Sequence, residues 1–170
     1  LVREPVRDYH VVGRAELVDR VWRKLRDGVD TSLLFLPGVG KTTVAQELLR
    51  ERDKILGHFD GVLWANLGRQ HVDSAELRAW GEALGIPAER MNSFDDKELW
   101  LRALQDAIGD RCMLVVLDDV WRTEDARRFM ELGPRCVFLS TTRSKTVAKE
   151  LGAGMLVPEL DPPQIGRAHV

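Results

Sequence analysis

Pro37, Gly38, Val39, Gly40, Lys41, Thr42 and Thr43 follow the apolar run Ser32-Leu33-Leu34-Phe35-Leu36, and this order of residue types suits a grip on phosphate. Glycines let backbone N–H groups curl around phosphate oxygens, a lysine at that spacing reaches the outer phosphates, and the hydroxyl after it helps hold Mg²⁺. Lys41 and Thr42 are the candidates for those two tasks. The full spacing G-x-x-x-x-G-K-[ST] asks for a small residue at position 35, where this chain has Phe35. A bulky side chain there either distorts the loop or extends the strand by one residue.

Asp118 and Asp119 close the apolar run Met113-Leu114-Val115-Val116-Leu117. A carboxylate at the end of a buried strand is where a nucleotide-binding sheet holds Mg²⁺, because hard oxygen ligands suit that ion. Asp118 is the metal-side candidate. Asp119, one residue on, is placed to position a water against a terminal phosphate. An Asp-Asp pair alone is also ordinary turn or helix-cap chemistry; its place at such a strand end, downstream of a glycine loop, favours the metal reading. A third run, Val137-Phe138-Leu139-Ser140-Thr141-Thr142-Arg143, ends in an arginine that would set a fixed cation near the same phosphate, although alone a surface arginine is the commoner case.

The elements that must position these residues alternate. Helical apolar spacing runs from Ala15 to Asp27 and stops at Gly28; Ser32–Leu36 reads as a buried strand; a helix with Val44, Ala45, Leu48 and Leu49 on its inner face should follow the glycine loop. Val62–Leu67 reads as a strand, Asp73-Ser74-Ala75-Glu76 as a helix start, Glu89–Asp96 as a polar loop, and Leu99–Ile108 as a helix that Asp95 and Asp96 help to start. Met113–Leu117 is a strand, Glu124–Glu131 a short helix, Cys136–Ser140 a strand, Ser144–Leu151 a helix and Met155–Val157 a last short strand. Strands alternating with helices imply a parallel sheet covered on both faces, an α/β fold.

Composition narrows the partners. With 25 basic against 27 acidic residues the net charge is −2, which argues against a nucleic-acid footprint in this chain. No apolar run approaches the ~18 residues of a membrane span. Cys112 and Cys136 read as reduced, buried thiols with no zinc spacing around them, and a cytoplasmic setting fits. His58 reads as a packing or exposed residue, and the tryptophans at 22, 64, 80, 100 and 121 as core residues. Arg122, Arg127 and Arg128 among Glu124, Asp125 and Glu131 read as a solvated helix face.

The ordered motifs carry a resemblance. Val12-Gly13-Arg14, Pro37 to Thr43, His58-Phe59-Asp60-Gly61-Val62-Leu63-Trp64, Leu114-Val115-Val116-Leu117-Asp118-Asp119-Val120-Trp121 and Ser140-Thr141-Thr142-Arg143 together resemble the NB-ARC domain. That family comprises the signal-transduction ATPases of plant resistance proteins, apoptotic scaffolds and many bacterial regulators. The resemblance implies a P-loop NTPase three-layer sandwich with a five-stranded, mostly parallel sheet, in which the sensor strand ending at Arg143 lies between the Walker A and Walker B strands. It also implies that Val12 and Arg14 lie near adenine, that Gly38 to Thr43 wrap the phosphates, that Asp118 and Asp119 are the Walker B pair, and that Arg143 detects the γ-phosphate. The cofactors implied are ATP or ADP with Mg²⁺. The partners implied are self-association and further effector or repeat domains.

Along the chain, residues 1–13 are expected to be a lead-in, 14–163 the nucleotide-binding domain, and 164–170 a tail. Ile165 to Val170 matches the translation of a widely used sequencing adapter, so native sequence is expected to end near Pro163 or Gln164, before the helical ARC part of the family. The family usually has glycine where this chain has Phe35. Two other readings therefore stand beside the switch ATPase: an AAA+-type ATPase working by turnover, and a degenerate scaffold module whose nucleotide binding Phe35 impairs. The Trp64 and Asp118-Asp119-Val120-Trp121 motifs favour signalling over the AAA+ reading.

Overall fold

The computed structural model of the chain describes residues 15–35, 47–68 and 74–157. Helix α1 (Ala15–Arg26) leads to β1 (Thr31–Phe35); residues 47–50 are helical, followed by α2 (Arg52–His58) and β2 (Gly61–Asn66). Next come α3 (Ser74–Ala83), α4 (Ala88–Met91), α5 (Lys97–Ile108) and β3 (Met113–Val120). Helix α6 (Thr123–Arg127), a 3₁₀ turn at Phe129–Glu131, β4 (Val137–Thr142), α7 (Lys145–Leu151) and β5 (Ala153–Val157) complete the described chain.

The five strands form one sheet in the order β2-β3-β4-β1-β5, and every neighbouring pair is parallel. The strand ending before Arg143 therefore lies between the strand that precedes the glycine run and the strand that carries Asp118, as the resemblance implied. Side chains alternate across the sheet, so β2, β3 and β4 each feed two cores, while β1 and β5 contribute to one. Leu33, Phe35, Leu114, Val116 and Leu139 pack with Val18, Val21 and Leu25 of α1 on one face. Ala65, Val115, Leu117 and Phe138 pack with Trp80, Leu104 and Ile108 on the other. This is the three-layer α/β sandwich expected.

Local sequence chemistry explains the helix ends. Val18, Val21 and Leu25 recur at helical spacing on the buried side of α1, and Gly28 follows with a φ of 77° that suits a residue without Cβ. Helix α5 starts where the Asp96 carboxylate accepts from Leu99 N at 2.9 Å, so Asp96 is its N-cap, and α7 starts where Ser144 Oγ accepts from Val147 N at 3.3 Å. Trp80 is buried in the core while its indole N–H donates to Trp64 O at 2.8 Å. Among the described residues no helix is long and apolar enough to cross a membrane.

Several expectations shift. The segment expected as a loop from Glu89 contains α4, held down by Met91, which is 1% exposed. Helix α2 has a single buried residue, Ile55, too little periodicity to signal it. Glu124–Glu131 divides into α6 and a 3₁₀ turn. Trp121 is 40% exposed, so it is not a core residue. Cys112 and Cys136 are free and half-buried, and they pack against opposite cores. His58 packs edge-on against Phe59 and Trp22, at ring-centre distances of 4.9 and 6.1 Å.

Asp30, just before β1, ties two strands together: its carboxylate accepts from Phe138 N at 3.0 Å. Burial pushes its pKa above the ordinary carboxylate value, against the opposing effect of that hydrogen bond. A raised folded pKa means that this group's stabilising proton uptake is complete below the ordinary value and is lost as the pH rises through the folded one. Asp30→Asn keeps the acceptor without the charge, so its thermal midpoint should equal or exceed that of the unsubstituted chain at pH 7, with the gap closing toward pH 4. Asp30→Ala should cost about 1 kcal/mol through the lost acceptor; thermal melts across pH check both.

Candidate nucleotide site at the strand ends

In a parallel sheet all the carboxyl ends of the strands open on one edge, and ligands collect there. At that edge β3 is irregular. Leu117 is paired with Ser140 and Val120 with Thr142, so β3 spends one more residue than β4 over this stretch, the geometry of a β-bulge. Asp118 and Asp119 lie in it, inside the strand rather than just beyond it. Asp119 has a φ of 61°, a left-handed conformation that Asp tolerates better than most residues. Without the extra residue the two carboxylates would follow the simple alternation of the strand; the bulge re-aims them.

Asp118 is 2% exposed. Its Oδ1 accepts from the Thr141 hydroxyl at 2.5 Å, and the same hydroxyl oxygen accepts from Asp119 N at 2.8 Å. On the other face of β4, Thr142 Oγ1 donates to Val120 O at 2.7 Å and accepts from Ser144 N at 3.1 Å. Two consecutive threonines thus fasten the bulge to β4 from both sides. The neighbouring strand is attached too, since Leu67 N donates to Asp118 O at 2.8 Å.

Arg143 follows β4 and is exposed; with Ser144 it lines a pocket whose other walls are Asp119, Val120 and Trp121. The structure therefore brings together two of the groups that sequence spacing singled out, the second carboxylate and the arginine. Val12, Arg14, Pro37, Gly38, Val39, Gly40, Lys41, Thr42 and Thr43 lie outside the described residues. Phe35 is the last residue of β1, paired with Val157 and buried in the core that α1 covers. β1 ends at Phe35, one residue earlier than the expected Ser32–Leu36, and the loop that follows lies outside the described residues.

The donor chemistry suits Mg²⁺. Among the described residues no cluster of three or more His, Cys, Asp or Glu could cage a metal. Mg²⁺ does not need one, because it is bound through one or two carboxylates together with water and substrate phosphates. Sequence reasoning gave no site role to Thr141, Ser144 or Trp121, which belong to this site, nor to Thr142, which braces the strand behind it without touching a carboxylate. The signal available was the pair of hydroxyl residues at the end of an otherwise apolar strand, one directed to each face of the sheet.

The NB-ARC domain model matches residues 14–160 of the chain. In sequence the chain is similar to disease resistance protein RFL1 of Arabidopsis thaliana, 27% identical over 150 residues, covering 84% of this chain and 17% of that protein. Disease resistance protein RPS5 of Arabidopsis thaliana is 25% identical over 148 residues, covering 84% and 16%. The chain spans about a sixth of the length of these relatives. In fold it is similar to Cdc6p from Pyrobaculum aerophilum, with a TM-score of 0.61 and 19% identity over 92% of this chain and 43% of that one. The Aeropyrum pernix ORC1 protein, solved in complex with DNA, gives 0.60 and 18% over 96% and 49%. At these identities the likeness to solved structures is one of fold.

Proposed function

Since the chain belongs to the NB-ARC domain family, we propose that it is the nucleotide-binding module of a signalling ATPase, taking ATP or ADP with Mg²⁺ and acting as a switch. The observation that carries this reading is that Asp119 and Arg143 line one pocket at the carboxyl edge of the sheet, with Asp118 buried next to Asp119 in the bulge and with β4 beside the strand that leads to the Pro37–Thr43 sequence.

Each residue then has a task. Backbone N–H groups of the 37–43 segment cradle the phosphates, Lys41 pairs with their outer oxygens, and Val12 and Arg14 lie toward the base. Thr42 and Asp118 are the side chains that would hold Mg²⁺, which when bound neutralises phosphate charge. Asp119 orients the attacking water and accepts its proton. Arg143 pairs with the terminal phosphate, so its contacts differ between the ATP and ADP states, and that difference is what biases a switch. Slow hydrolysis would end the assembly-competent state, and self-association and effector or repeat domains would read it out. The domain so assigned is residues 14–163.

A titration with labelled ATP and ADP in the presence of Mg²⁺ tests the site. Lys41→Ala should weaken both by about 10–100-fold, since hydrogen bonds to charged groups contribute ~1.5–3 kcal/mol. Arg143→Ala should weaken ATP more than ADP. Binding of both variants equal to that of the unsubstituted chain would put the nucleotide elsewhere.

A further inference from the structure

One side chain in this site serves both carboxylate residues without being acidic. Thr141 is fully buried in β4, where its main chain pairs with Leu33 of β1. A threonine hydroxyl has one hydrogen and two lone pairs. Here the hydrogen goes to Asp118 Oδ1 and a lone pair takes the Asp119 N–H. The first bond fixes how the Asp118 carboxylate is turned. The second holds the amide of the residue whose φ is 61°, at the point where β3 carries its extra residue. Arg143 stands two residues further along the chain, so β4 connects the arginine to both acids through a single hydroxyl.

We propose that Thr141 is a positioning residue: its hydroxyl orients Asp118 and Asp119 and so sets how strongly Mg²⁺ tightens nucleotide binding. This rests on the reading of Asp118 as the metal-side carboxylate. Hydrogen bonds that orient a metal ligand typically alter metal affinity 10–100-fold when they are lost. Thr142 supplies an internal control. It is equally buried and also hydroxyl-bonded, but its partners are Val120 O and Ser144 N, neither of them a carboxylate.

The test is the affinity of the full chain for fluorescent ADP with and without Mg²⁺, expressed as a ratio. In Thr141→Val the ratio should fall about tenfold or more, while Mg²⁺-free affinity stays as in the unsubstituted chain. Thr141→Ser, which restores the hydroxyl, and Thr142→Val should keep the ratio within about twofold. Thr141→Ala removes the same hydroxyl without placing a methyl group against the carboxylate, and it reads the same if the valine variant does not fold. A Thr141 variant lacking the hydroxyl but keeping the full ratio overturns the proposal while leaving the nucleotide site intact. Equal loss in Thr142→Val also overturns it, since any disturbance of β4 would then suffice. Mg²⁺-indifferent binding by the unsubstituted chain would overturn the metal-side reading of Asp118, and this proposal with it.

Discussion

Phe35→Gly will destabilise the fold by about 3–5 kcal/mol and will not tighten nucleotide binding. The motif spacing makes the opposite expectation natural, because glycine is the residue the phosphate-loop pattern wants there. The structure assigns the position to a different task. Phe35 is 1% exposed, closes β1 against Val157, and packs in the core that holds Val18, Val21, Leu25 and Leu33. Deleting a buried phenylalanine ring forfeits its transfer energy and leaves a cavity, and glycine in a strand adds an entropic cost of roughly 0.5–1 kcal/mol. For a chain of this size each kcal/mol moves the midpoint by about 2–4 °C, so the melt should shift downward by roughly 6–20 °C. Thermal unfolding together with an ADP titration below the transition checks it. A glycine variant as stable as the parent, with tighter binding, would mean that Phe35 damages the loop rather than completes the strand.

That reversal illustrates what was legible in the sequence. Strands β1, β3 and β4 could be read because each is a run of apolar residues bounded by polar ones, and burial on both faces leaves little else for such a run to be. Their order could not be read from periodicity; it came with the resemblance, and β4 does lie between β1 and β3. Helix α2 was invisible because one buried residue makes no stripe, and α4 because four residues are barely a turn. Trp121 misled for a general reason. Hydrophobicity argues for burial, but a residue directly after a bulged strand end stands at the rim of the pocket instead.

The candidate site divides along the same line. Asp118, Asp119 and Arg143 stood out as candidates only in series, since an Asp-Asp pair or an arginine after a strand is ordinary alone and gains meaning from its place downstream of a glycine loop. The threonines did not, since a hydroxyl in a strand is unremarkable until its partners are known. Backbone irregularity is equally silent in sequence: nothing in Leu117-Asp118-Asp119-Val120 announces an extra residue relative to β4 or a left-handed Asp119. Local rules fail at the place where the chain has been bent to aim side chains, which is where function is expected to lie.

Asp118→Asn should separate folding from metal use more sharply than any other substitution in the site. Asparagine has the size of aspartate and keeps a carbonyl oxygen to accept from the Thr141 hydroxyl, and the main-chain acceptor for Leu67 N is untouched. The thermal midpoint should therefore move by no more than about 2–4 °C, the equivalent of ~1 kcal/mol. Function should respond differently. A neutral amide is a poor ligand for a hard divalent cation, and losing the ligand itself should cost at least as much as losing a group that orients it, about 100-fold in Mg²⁺-dependent affinity. Nucleotide binding without Mg²⁺ should change little or improve, because one negative charge has been removed from the strand end where the phosphates are proposed to lie. Calorimetric titration of ADP at several Mg²⁺ concentrations, alongside a melt of the same sample, measures both arms. A stable variant that keeps full Mg²⁺ dependence would remove Asp118 from the metal and leave Asp119, one bulge residue further on, as the carboxylate to test.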